Sequence, residues 1–379
     1  MMMPWAAVLP PPRWRPLLLL SAVVLWPGVL PVGDGLGGHM LLFALDGLAL
    51  LPVAMALSTV VEQLIEHLGP RWGGLLSVMF GNIVEFLIAF NALSSGLYPL
   101  VVMSIAGAVV INCLPVLGLA IVVACRGHRT LAIDPDSREL QNQQLLLSAL
   151  LLALPSVFFQ QPMNTSLQGN EHADAFSLYS SLVAALALLV YGLAVIETLR
   201  QGGNHDLVVD HNSTAMPSKP ALGGLLLALG GWTVLVALLS DHLVGTLEQL
   251  VEGSHLNAVF VGLFLLPLFG SLPEALITLK AARRRLSAVM LISTIDSSLQ
   301  LLLFVLPLLV LCGLPMGRFL HLGLPPVALA GLAVAVLMIE RITENHVLKS
   351  YEGVQLLVLF VAMALGALLL SPVAALASA

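Results

Sequence analysis

Two stretches of this chain place a carboxylate among hydrocarbon side chains. Residues 80–90 read FGNIVEFLIAF and residues 269–279 read FGSLPEALITL. Each sets a glutamate, Glu85 or Glu274, three positions after a small polar residue, Asn82 or Ser271. An ionisable side chain at the centre of a membrane helix costs about 2.5–3.5 kcal/mol on insertion scales, so such groups usually face a cavity and mark an ion path. Removal from water penalises the anion, which lets a carboxyl group in hydrocarbon hold a proton near neutral pH. Two carboxylates with amide and hydroxyl oxygens beside them also make an all-oxygen site suited to a hard cation such as Ca2+. Protons and a divalent cation competing for one such pair, combined with alternating access, would exchange one for the other. The competing reading is a neutral glutamic acid hydrogen-bonded between helices. Two copies in matching motifs argue against it. The chemistry leaves Ca2+, Mn2+ and Na+ open.

Other polar residues extend the candidate site. Asn112 lies in SIAGAVVINCLPVLG, and Asp296, Ser297, Ser298 and Gln300 form the cluster IDSSLQ. Lone serines in membrane helices commonly bond the preceding turn. Four polar groups packed so closely need more partners than that, so the cluster is expected to line the cation path, with Asp296 a third acid. Glu62 and Glu66, and likewise Glu248 and Glu252, stand four apart near expected helix ends. They read either as cation funnels on opposite sides or as solvated helix ends.

The elements that position these residues follow from composition. The 379 residues are 59% hydrophobic and 9% charged, with a mean hydropathy of +1.00. A soluble domain of that size would have almost nothing polar to show water. Apolar runs of about 20 residues recur throughout, each able to cross ~30 Å of hydrocarbon as a helix. The pattern predicts an all-α polytopic membrane protein with eleven helices, near 15–33, 40–63, 73–95, 98–124, 144–160, 176–199, 220–241, 255–279, 286–314, 322–340 and 352–371. With a cytoplasmic N-terminus, fourteen of the fifteen Lys and Arg fall in inner loops and only Arg318 falls outside, as the positive-inside bias requires. The first apolar stretch is kept as a span because no A-x-A cleavage site follows it.

The longest polar break, 200–219, is expected to be a flexible cytoplasmic linker. Its His205, Asp206, Asp210 and His211 offer an alternative reading as a regulatory cation site. Of the sequons at Asn164 and Asn212, only Asn164 faces outward in this topology. The expected organisation is an N-terminal segment 1–38 with one extra helix, a repeat 39–199, the linker 200–219 and a second repeat 220–379. Cys113, Cys125 and Cys312 lack metal or disulfide spacing and read as buried free thiols. No basic patch interleaved with aromatics suggests nucleic acid. No HExxH, and no GxSxG with a plausible partner, suggests a membrane hydrolase, so the chain reads as a non-enzyme needing no cofactor.

The two halves match. The gapless shift that carries Glu85 onto Glu274 aligns FGNIVE with FGSLPE and Ser104-Ile105-Ala106-Gly107 with Ser293-Thr294-Ile295-Asp296. EQLIE (62–66) also resembles EQLVE (248–252). Five helices per half is odd, so the copies enter the membrane from opposite faces. In secondary transporters such inverted repeats place the substrate near the midplane, often beside broken helices. Pro273, just before Glu274, fits such a break. One acid per half favours alternating access over a passive channel.

LGPRWGGLLSVMFGNIVEFLIAFNAL followed by SIAGAVVINCLPVLGLA resembles the first repeat of the calcium/proton exchangers, the CAX branch of the cation/Ca2+ exchanger superfamily. VFVGLFLLPLFGSLPEALITLKAARRRLSAVMLISTIDSSLQLLLFVLPLLVLCG resembles the second, and RITENHVLKSYEGVQLLVLF resembles the closing segment. The resemblance spans roughly 40–371. It implies ten core helices in two inverted repeats, preceded here by one more, and an exchange of Ca2+ for H+. It implies Glu85 and Glu274 as the central carriers, Asn82 as a ligand, and Asn112, Ser297, Ser298 and Gln300 lining the site. Departures lie mainly in the second half: Ser271 replaces the family's asparagine, Ala275 its histidine after the glutamate, and Asp296 its glycine. Ala108 stands where the first repeat commonly has serine. Few loops are long, which suggests a bacterial inner membrane. Exchange of Mn2+, Na+ or K+ is the alternative, and a cation channel a more distant one; no oligomeric state is implied.

Overall fold

Backbone amides inside hydrocarbon must be satisfied within the chain, and this sequence does so with helices. The computed structural model describes residues 9–12, 14–25, 36–127, 130–133, 135–159, 170–200, 222–253 and 258–370. The linker cluster from His205 to His211 and both sequons lie outside the described residues. The helices are α1 (Leu18–Leu25), α2 (Leu36–Phe80), α3 (Ile83–Ser94), α4 (Tyr98–Ala124), α5 (Pro135–Phe159), α6 (Asn170–Arg200), α7 (Leu222–Gly253), α8 (Val261–Gly270), α9 (Leu272–Arg283), α10 (Ser287–Gly313), α11 (Pro326–Thr343) and α12 (Ser350–Leu370).

Every apolar stretch expected to be helical contains helix. Seven of the described helices are long and apolar enough to cross a membrane, or eight when the bent pair α8 and α9 is one span. Leu227, Leu369, Leu19 and Leu178 are 80%, 73%, 72% and 62% exposed, the pattern of side chains that meet lipid rather than water. The protein is therefore a multi-pass membrane protein.

Contacts divide the chain into two compact units, Met1–Asn91 with Leu193–His255 and Ala92–Gly192 with Leu256–Ala379. Each draws on both sequence halves. In the first unit α2 packs along α7, and α1 packs against α2. Asn91 on α3 donates its amide to the Ala237 carbonyl of α7 at 3.0 Å. In the second unit α4 is the central helix. Its apolar stretch is 83% buried, against 22% for those of α6 and α12, so α4 runs through protein while the others present themselves to lipid.

Small residues let these helices approach. A Cβ at Gly118 of α4 would stand 2.8 Å from the Gly353 carbonyl oxygen of α12, and one at Gly353 would stand 2.6 Å from that of Gly118.

The structure adds a two-stranded element that the all-α expectation lacked. Thr130–Ala132 (β1) pairs antiparallel with Val347–Lys349 (β2), with Leu131 opposite Leu348. Strands this short cannot show an alternating pattern in sequence. Arg285 donates to the Thr130 carbonyl at 2.8 Å, and the Glu352 carboxylate accepts from the Lys349 amide at 2.8 Å. Burial at this end of the fold pushes the Cys125 thiol above its ordinary pKa, the nearby Arg285 pulling the other way.

Candidate functional site

The two glutamates stand at helix N-termini. The stretch expected as one helix over 73–95 is broken: α2 ends at Phe80, Gly81 and Asn82 form a turn, and α3 begins at Ile83. The stretch over 255–279 is broken at Ser271, where α8 and α9 meet at 63°. The break expected beside Pro273 is present, two residues before it. Pro273 sits in the first turn of α9, where its missing N–H leaves no hydrogen bond unmade. Ile83–Ser94 and Leu272–Arg283 have the same length, and the shift that carries Glu85 onto Glu274 superposes them at both ends. Tyr98–Ala124 and Ser287–Gly313 obey the same shift, as do the π-helical turns Asn112–Val116 and Leu301–Val305 inside them.

Asn82 and Ser271 consequently precede their helices rather than share a helical face with the glutamates. Each presents its carbonyl to the first turn: Phe86 N donates to Asn82 O, and Ala275 N to Ser271 O, both at 3.0 Å. Glu85 and Glu274 fall at the third helical residue, which is capping-box spacing. In the second copy that box is not closed. Ser271 makes no side-chain cap bond, and buried Ser271 Oγ and Glu274 Oε2 have no hydrogen-bond partner among the described residues. The helix N-terminus favours a negative charge there, while burial favours the uncharged acid. A carboxyl group between these influences is suited to exchanging a proton for a cation.

Around α9 the second unit assembles further polar groups. Asn112 begins the π-helical turn of α4, which packs against α9 and against a second π-helical turn, Ile292–Asp296, in α10. Buried Asn112 donates its Nδ2 to Ser297 Oγ at 3.2 Å, and its Oδ1 accepts no hydrogen bond among the described residues. Three oxygens, Ser271 Oγ, Glu274 Oε2 and Asn112 Oδ1, are thus buried and unbonded in one unit. Hydroxyl, carboxylate and amide oxygens of that kind suit a hard cation.

Ser298 is less open. Its hydroxyl donates to the Thr294 carbonyl at 2.7 Å and lies 3.4 Å from Cys113 Sγ, the preceding-turn bond common for membrane serines. Asp296 and Gln300 are half-buried on α10, and Asp296 lies within electrostatic reach of the Tyr191 phenol on α6. The turn that ends at Asp296 has no π-helical counterpart in α4, where Gly107 occupies the matching place.

Glu62 and Glu66 are exposed on α2 before its kink at Gly69, where φ is +77°. Glu248 is half-buried on α7; the Glu252 side chain lies outside the described residues. Cys113, Cys125 and Cys312 are free thiols. Sequence reasoning missed Thr278 and Ser293, whose hydroxyls meet at 2.6 Å between α9 and α10. It also missed Asp46, fully buried on α2 and bonded to His242 and Thr246 of α7. A single acid inside FALDGLALL was the available signal.

A sequence profile of the sodium/calcium exchanger protein family matches residues 38–198 and 223–369. The chain belongs to that family. Within it, this exchanger aligns with the calcium/proton branch. It is 28% identical over 349 residues to a Ca2+/H+ antiporter of Synechocystis sp., covering 86% of this chain and 91% of that one. It is 30% identical over 322 residues to a vacuolar calcium ion transporter of Schizosaccharomyces pombe, covering 84% and 76%. The exchanger's fold matches that of the selenium-substituted Ca2+/H+ antiporter YfkE with a TM-score of 0.73 at 24% identity, over 94% of this chain and 100% of the other. At that identity the likeness speaks to fold.

Proposed function

We propose that this exchanger is a secondary active transporter that moves Ca2+ against H+ across a membrane by alternating access. The observation that carries this reading is a pair of helix breaks at matching places of the two halves, each followed by a glutamate at the third helical position, in a chain whose relatives are named as calcium transporters and antiporters. In this reading Glu85 and Glu274 alternately hold the cation and protons. Asn82, Ser271, Asn112 and Ser297 supply neutral oxygens, and Asp296, Ser298 and Gln300 line the path. Glu62, Glu66, Glu248 and Glu252 serve as funnels at its two mouths. The cation is cargo rather than a resident cofactor.

The organisation that goes with this function is an N-terminal segment 1–38, repeats 39–199 and 220–379, and the linker 200–219. The two separately matched segments support that division. Eleven spans with a cytoplasmic N-terminus, set in a bacterial inner membrane, accommodate the charge asymmetry of the loops.

The test is uptake by proteoliposomes under an imposed pH gradient against a panel of Ca2+, Mn2+, Na+ and K+. Ca2+ accumulation that collapses with the gradient is expected. Gradient-driven uptake of another cation with none of Ca2+ would replace the substrate, and gradient-independent equilibration would make the protein a channel.

A further inference from the structure

Asp46 is a carboxylate that the exchange reading does not use. It sits in the apolar run FALDGLALL of α2 with no exposed surface. Its Oδ1 accepts from His242 Nδ1 at 3.0 Å and its Oδ2 accepts from Thr246 Oγ1 at 2.7 Å. His242 and Thr246 are one turn apart on α7, so one helix face delivers both partners. The His242 side chain is 39% exposed, which opens the otherwise closed cluster to its surroundings.

The geometry accommodates either charge state. Thr246 Oγ1 also lies 2.9 Å from the Leu243 carbonyl. Its single proton can therefore go to an ionised Asp46, or turn to Leu243 and leave the oxygen to accept from a protonated Asp46. The imidazole nitrogen likewise donates when it carries a proton and accepts when it does not. With one proton shared, the pair is neutral; without it, a net negative charge is left buried, which is costly.

The titratable groups on the elements around Asp46 do not duplicate this arrangement. On α2, His39 lies two turns before it, and Glu62 is the next acid along the chain. On α7, Asp241 is exposed and Glu248 half-buried; α3 carries Glu85. Helix α1 carries no titratable side chain, and Arg15 before it donates to the Pro10 carbonyl at 3.2 Å.

We propose that Asp46, His242 and Thr246 form a proton-binding site in its own right, separate from Glu85 and Glu274, in which carboxylate and imidazole share one exchangeable proton. The internal repeat does not reproduce the site. Under the shift that relates the two halves its members match Leu235, Val53 and Leu57, all apolar. The two halves of the exchanger therefore differ in proton chemistry, and α2 and α7 are joined by a link whose charge depends on pH. Proton binding stands on this geometry alone; its influence on Ca2+ transport rests on the exchange reading above.

The test uses the full-length protein in lipid vesicles and counts protons taken up on acidification. His242→Asn keeps an amide donor for Asp46 but removes the titrating ring. It is expected to fold, to bind about one proton per chain fewer than wild type on acidification, and to flatten the pH profile of Ca2+ uptake. Thr246→Val, which removes only the hydroxyl, is expected to displace the midpoint of that proton uptake. Unchanged proton count and pH profile in His242→Asn, or an unmoved midpoint in Thr246→Val, would reduce the cluster to a structural link and overturn the proposal. The proton count needs no transport, so absence of Ca2+ exchange would sink the functional reading without touching this one.

Discussion

Asn112 donates its side-chain amide to Ser297 Oγ at 3.2 Å, joining the two halves of the sequence, while its own buried Oδ1 accepts no hydrogen bond among the described residues. The bond fixes which end of the amide is used up and leaves the oxygen for a ligand. Leu301 occupies the matching place at the head of the second copy's π-helical turn, so the amide belongs to one copy only.

Replacing Asn112 by leucine, as in the other copy, removes the neutral oxygen proposed as a ligand and takes away a donor to the Ser297 hydroxyl. Loss of a buried polar partner costs about 1–3 kcal/mol, and about 1.4 kcal/mol is tenfold in affinity. Asn112→Leu is therefore expected to raise the Ca2+ concentration for half-maximal uptake by roughly tenfold or more. An unchanged concentration dependence would remove Asn112 from the site.

Ser271 separates a capping role from a ligand role. Its hydroxyl makes no cap bond, so Ser271→Ala should leave the melting temperature within about 2 °C of wild type. Apparent Ca2+ affinity should nevertheless weaken, and Ser271→Asn, which puts an amide oxygen in place of the hydroxyl, should retain it. Equal loss of stability in both variants would assign the residue to the helix break alone.

Gly107 tests the packing that holds α4 in place. A Cβ there would fall on the Leu263 carbonyl of α8 and 2.7 Å from Pro267 Cγ. Overpacking of this kind costs about 1–3 kcal/mol. Gly107→Val should lower the thermal midpoint of the purified protein and reduce transport with it, whereas Gly230→Ala, in open space on α7, should lower neither. Identical melting curves for the two variants would contradict the close crossing of α4 and α8.

Much of this was legible in the residues because hydrocarbon makes polar side chains conspicuous. FGNIVE and FGSLPE located both glutamate motifs, and the shift between them carried through to the ends of α3 and α9 and of α4 and α10. The breaks themselves were less legible. Apolar periodicity continues through Gly81–Asn82 and Ser271, and Pro273 drew attention just past the bend it follows. The π-helical turns leave no common mark in the sequence: NCLPV and ISTID contain polar residues, whereas LLLFV is wholly apolar. Asp46 escaped notice because it stands alone in sequence: its partners lie in the other half of the chain and have no echo in the first.

The central claim is that Glu85 and Glu274 couple cation to proton. It is tested most directly by following Ca2+ and H+ together in everted membrane vesicles after a proton gradient is imposed. Wild type should accumulate Ca2+ while releasing protons, and Glu85→Gln and Glu274→Gln should each abolish both fluxes in protein that still inserts and folds. Full gradient-driven Ca2+ uptake with both glutamates replaced would contradict the account.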